Sequence, residues 1–144
     1  MHRMYQNRLI ERLADLAGRA ARAVEDRRQR RALARELDGL GNGRLLDATL
    51  ADMQLSRSQV PALVGGFPQR QRLFNRMLAR IGVAPAQLAD RATRNELMWR
   101  CTACQVDKTC RRWLDAGRTR GYEAFCPNAS AFKRLVAAAW PRPR

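Results

Sequence analysis

Four cysteines carry the clearest chemical pattern in this chain. Cys101, Cys104, Cys110 and Cys126 are separated by two, five and fifteen residues. Two cysteines three positions apart converge across one helical turn, so Cys101 and Cys104 can grip one centre while Cys110 and Cys126 complete a set of four thiolates. The only histidine is His2, which leaves no histidine for a mixed site. Thiolates are soft ligands that select zinc or an iron–sulfur cluster. Zinc modules usually present two close cysteine pairs. Here the second pair is split, and the two-then-five spacing is that of some helical [4Fe–4S] sites. A [4Fe–4S] cluster is the leading expectation and zinc the alternative. A metal-free reading stays open beside them: buried thiols, a redox disulfide, or a haem contact at Cys126–Pro127.

The elements that must position these thiols read as all-α. Ala, Leu and Arg favour helix, and no alternating β-branched run occurs. Thr93 with Glu96 reads as a capping box, predicting a short helix from 94 to about 100 that delivers Cys101 and Cys104 at its end. Asp107 and Lys108 read as a turn. Cys110 opens a helix that Gly117 closes, and a last helix at about 129–140 stops at Pro141. Six of the nine aromatics (Trp99, Trp113, Tyr122, Phe125, Phe132 and Trp140) fall in this part and read as core.

Upstream, residues 45–60 align with 73–88 at an offset of 28, with four of sixteen positions identical. Each copy reads as helix, tight turn, helix. Ser56 and Gln59 form a capping box, Gly82 ends a helix and Pro85 starts one. Gly65 and Gly66 read as the end of the first unit, and Pro68 as a helix start. The spacing is also that of helix–turn–helix units, with Leu50, Gln54, Leu55 and Val60 at the packing and turn positions. A first helix at about 5–38 carries an apolar stripe (Leu9, Leu13, Leu16, Ala20, Val24) that Leu33, Leu37 and Leu40 are expected to resume. The expected parts are a basic helical arm (1–44), a helical hairpin (45–66) and a four-cysteine helical module (67–144).

Three resemblances bear on this division. Residues 33–64 resemble the short arginine-rich YjiS-like proteins of bacteria, with Gln54 where their pattern has glycine; some relatives are implicated in RNA-linked regulation. Cys101, Cys104, Val106, Cys110, Leu114, Gly117, Gly121 and Tyr122 are similar in spacing to the WhiB-like iron–sulfur regulators, although that family's extra ligand lies upstream and Cys126 lies downstream. The half from about 73 to 136 resembles an alphaproteobacterial family of unknown function, through Met77, Leu78, Arg80, Gly82, Val83, the cysteines and Phe125-Cys126-Pro127-Asn128-Ala129.

The net charge is +15, and 26 of the 28 cations are arginine. Arginine's planar fork suits phosphate and carboxylate, so the charge predicts a polyanionic partner. Nucleic acid is expected first, with Arg27, Arg28, Arg30, Arg31 and Arg57 as phosphate contacts. An acidic protein surface is second, and a membrane surface third. The opening residues do not read as a signal peptide, and no stretch approaches a membrane span. A cytoplasmic location follows, where four cysteines read as ligands or reactive thiols rather than disulfides. Asp90, Glu96, Asp107 and Glu123 read as surface or cap residues. With no phosphate loop and no imidazole near the cysteines, the chain reads as non-catalytic, with no small-molecule substrate. The function these features predict is a redox- or iron-responsive regulator.

Overall fold

The computed structural model describes residues 2–41, 43–88 and 90–139, with the side chains of 2–7 and 9 also outside the description. Leu9's side chain, Trp140 and Pro141 lie outside the described residues. Among the described residues there are six α-helices and no strand: α1 (His2–Gly39), α2 (Arg44–Asp52), α3 (Val60–Ile81), α4 (Arg91–Thr102), α5 (Asp107–Asp115) and α6 (Ala129–Ala139). No described helix is long and apolar enough to cross a membrane.

α3 is the central element and packs on α1, α4 and α5. The expected break at Gly65, Gly66 and Pro68 does not occur; α3 runs through all three, so the 66/67 boundary falls inside a helix. Glycine costs a helix about 1 kcal/mol and proline about 3. Burial of Leu63, Pro68, Leu73, Phe74, Met77 and Leu78 along α3 offsets that cost.

The 28-residue repeat is a repeat of turn geometry. Gln54 and Gly82 both adopt the left-handed conformation, at φ 56° and 76°. The next amides donate back to equivalent carbonyls, Leu55 to Leu50 at 2.8 Å and Val83 to Leu78 at 3.0 Å. Gln59 and Gln87 then accept from the backbone N–H groups of Ser56 and Ala84, at 2.8 and 2.7 Å. The copies diverge afterwards. The first runs through a 3₁₀ turn (Arg57–Gln59) directly into α3, whereas the second makes a 3₁₀ turn (Pro85–Leu88) and begins again at α4.

α1 corrects the expected single stripe. Leu33 follows Val24 by nine residues, about 180° around a helix at 3.6 residues per turn. The two apolar runs therefore face opposite ways. Leu33 and Leu37 are buried, at 2% and 5% exposure, whereas Leu13, Leu16 and Val24 are exposed at 56%, 55% and 59%. α1 is tied to α3 near its middle by Arg72 to Asp26 at 2.6 Å and by Arg30 Nε to the Gly65 carbonyl at 3.2 Å.

The main core is built from α3, α4, α5, α6 and the segments between them, from Leu73 to Phe132. Trp113 contacts Tyr122 and Phe125 edge-on, with ring centroids 5.9 and 6.2 Å apart, and Phe132 bridges Phe74 and Tyr122. The Trp113 indole donates to the Arg120 carbonyl at 2.8 Å. Arg80 reaches the Leu114 and Gly117 carbonyls at the end of α5, where a cation complements the helix dipole.

Candidate metal centre

The four cysteines arrive on three separately anchored pieces of backbone. α4 begins one turn earlier than expected, because Asp90 is its cap and accepts from the Ala92 and Thr93 amides at 3.3 and 2.9 Å. Thr93 bonds to Asp90 through its hydroxyl, and Glu96 pairs with Arg100 instead of closing a capping box. Cys101 lies in the last turn of α4, and Cys104 follows the helix end at Thr102. Asp107 and Lys108 open α5 rather than forming a turn, which puts Cys110 in its first turn. Cys126 follows the 3₁₀ turn Tyr122–Ala124, and its amide donates to the Tyr122 carbonyl at 2.9 Å.

The buried Asn128 side chain donates to the Leu97 carbonyl of α4 at 2.9 Å. Its backbone N–H reaches the Cys126 sulfur. This residue therefore ties the Cys126 segment to the helix that carries Cys101. The FCPNA segment was visible in the sequence, but nothing in the pattern assigned Asn128 this structural tie.

All four cysteines line one cavity, walled by Leu73, Phe74 and Met77 of α3 and by Val106, Phe125, Pro127, Asn128 and Phe132. The sulfurs and their neighbours leave about 20 Å³ of room, enough for one water. Among the described residues, no three His, Cys, Asp or Glu side chains are gathered as ligands of a single metal ion. The thiols thus share a cavity without forming a closed single-ion shell, in which tetrahedral sulfurs would lie ~3.8 Å apart. Two surface grooves, of about 190 and 780 Å³, both reach Cys104.

Burial pushes the Cys101 thiol up to about 12, and the neighbouring thiols add to the shift while Arg70 opposes it. Burial likewise raises Cys110 to about 11, opposed by Arg76. Cys126 is raised by burial and eased by the Asn128 N–H. Protons therefore occupy these sulfurs at neutral pH, and a soft metal would have to displace them. Asp107 departs from its expected role as an ordinary surface or cap carboxylate. It is mostly buried and binds Arg70 at 3.2 Å and Arg111 at 3.5 Å.

The predicted cationic residues divide. Arg27, Arg28 and Arg31 are exposed on α1. Arg28 and Arg31, with Arg35, line a surface trough of about 510 Å³. Arg30 is half-buried against α3 through Gly65. Arg57 pairs with Asp47 at 2.6 Å and reaches the Gly43 carbonyl at 3.5 Å. Arg35 was missed because it stands one turn beyond the arginine run; helical spacing from Arg28 and Arg31 could have found it.

Residues 63–138, more than half of the chain, match the profile of a family described as a family of unknown function, DUF6455. The chain belongs to the DUF6455 family. The matched segment contains all four cysteines and the whole main core, whereas α1 and α2 lie outside it. No curated protein and no solved structure matches the chain.

Proposed function

We propose that this DUF6455 protein is a non-catalytic, redox- or iron-responsive regulator that binds nucleic acid through the arginine face of α1. The observation that carries the reading is the convergence of four cysteines, from three backbone segments, on one apolar cavity. Cys101, Cys104, Cys110 and Cys126 would hold a [4Fe–4S] cluster. Bound there, the cluster would supply sensitivity to oxidants and to iron. Four soft thiolates suit an iron–sulfur cluster, and the aromatic core beside Cys110 and Cys126 would limit solvent access on that side. Binding would require the cysteine side chains to widen a gap of about 20 Å³. The chain's own part is mechanical: the sulfurs join α4, α5 and the segment before α6, so freeing them uncouples those elements.

Arg27, Arg28 and Arg31, extended by Arg35, are the proposed phosphate contacts, with Arg30 and Arg57 engaged inside the protein. Titrating duplex DNA and single-stranded RNA at several salt concentrations tests this. Affinity should fall steeply with salt, and substituting glutamine at Arg28 and Arg31 should flatten the slope by roughly 0.7–0.9 per lost contact. An affinity indifferent to salt counts against nucleic acid.

A second reading is a protein-interaction module stapled by zinc, with an acidic partner. The exposed Leu13, Leu16 and Val24 beside exposed arginines favour it. It requires a colourless, zinc-loaded protein whose partner is not displaced by nucleic acid.

A further inference from the structure

Arg70 stands one helical turn before the cavity wall. Leu73, Phe74 and Met77 line the four-cysteine cavity. Arg70 precedes them by three, four and seven residues, so it shares their face of α3. Its carbonyl lies 4.0 Å from the Cys101 sulfur. Its Nη2 is held by Asp107 at 3.2 Å, between Cys104 and Cys110 in sequence. Its Nη1 is buried without a hydrogen-bond partner.

A buried, permanently charged donor without an acceptor calls for a physical reason. The sulfurs supply one. Four thiolates around a divalent core leave two surplus negative charges in an apolar enclosure. Asp107 is shared by Arg70 and Arg111, so the trio keeps one net positive charge.

We infer that Arg70 is the charge-compensating, positioning residue of the four-cysteine site, with Nη1–H as the donor for a metal-bound thiolate. The inference rests on the metal-site reading above but not on which metal is bound.

The test uses the full chain, purified anaerobically, in four forms: wild type, Arg70→Gln, Arg70→Lys and Asp107→Asn. Zinc affinity is read by competition with a chromogenic chelator, and cluster retention by resistance to an iron chelator. Arg70→Gln should lose about 10–100-fold in affinity, the usual range for removing a supporting partner. Arg70→Lys keeps the charge and should recover most of that loss. Asp107→Asn breaks the same ion pair but leaves the cation, so it should not reproduce the loss. The proposal is overturned if Arg70→Gln binds like wild type, if Arg70→Lys loses as much, or if Asp107→Asn does. Should Arg70→Gln fail to fold, as read by helical circular dichroism, Arg70→Met takes its place: weakened binding that Arg70→Lys restores supports the proposal, and wild-type binding overturns it. Wild-type protein that binds zinc alone, with the Arg70 pattern intact, removes the cluster and keeps the inference. Wild-type protein that binds neither metal removes both.

Discussion

The cysteine module and the outer half of α1 use similar helix-forming residues and reach opposite ends. In the module, aromatics on α3, α5, α6 and the intervening turn meet one another, and Phe74 and Phe132 are essentially fully buried. In α1 the stripe of Leu13, Leu16 and Val24 has the spacing of a packed helix and remains exposed. Periodicity therefore identifies a face that could be buried; a partner surface determines whether it is. The family match follows this divide, covering the module and leaving out α1.

The comparison can be broken most forcefully in the core. Phe132→Ala should cost about 3–5 kcal/mol in chemical denaturation. A cost near that of a surface change would mean the module is not the packed unit.

A second difference is carried by the thiols. Cys101 is raised from 9.0 to about 12 in the folded chain, so its contribution to stability is complete below pH 9 and declines as the unfolded chain ionises above it. Metal-free protein should lose stability between about pH 9 and about pH 12, and Cys101→Ser should lose less. Equal losses in both would remove burial of this thiol as the cause.

The two turns offer a smaller test. Gly82→Gln should cost about 1–2 kcal/mol, because only the left-handed backbone opposes a side chain there; no heavy atom lies within 4 Å of an added Cβ. Gln54→Gly should be stabilising by up to ~1 kcal/mol. The same sign for both would mean the turns are not equivalent. Smallest of all, Leu13→Ala and Leu16→Ala should change stability by less than ~0.5 kcal/mol. A core-sized loss would mean that the stripe is covered in solution.

Much of this was legible beforehand. The helical class, the Gly82 stop, the Ser56–Gln59 start and the placement of Cys101 and Cys104 at a helix end all rest on local rules that the fold obeys. What failed was non-local. Gly65, Gly66 and Pro68 read as a break, but burial along α3 outweighs their propensities. Thr93 and Glu96 matched a capping pattern, yet Asp90 stands closer to the helix entrance and takes the role. Leu33 and Leu37 read as continuing the first stripe, yet the unbroken α1 carries them to the opposite side from Val24. Arg70 and Asp107 were invisible as a pair, since nothing local links residues on α3 and α5.

The iron–sulfur cluster proposed for Cys101, Cys104, Cys110 and Cys126 is open to direct measurement. The measurement is anaerobic purification or reconstitution, followed by an absorption spectrum with iron, sulfide and zinc analysis. A cluster-bearing protein is expected to be brown, with broad absorption at about 400 nm and about four irons and four sulfides per chain, and to lose the cluster in Cys126→Ser as completely as in Cys101→Ser. A colourless protein, with stoichiometric zinc or with no metal, contradicts the proposal.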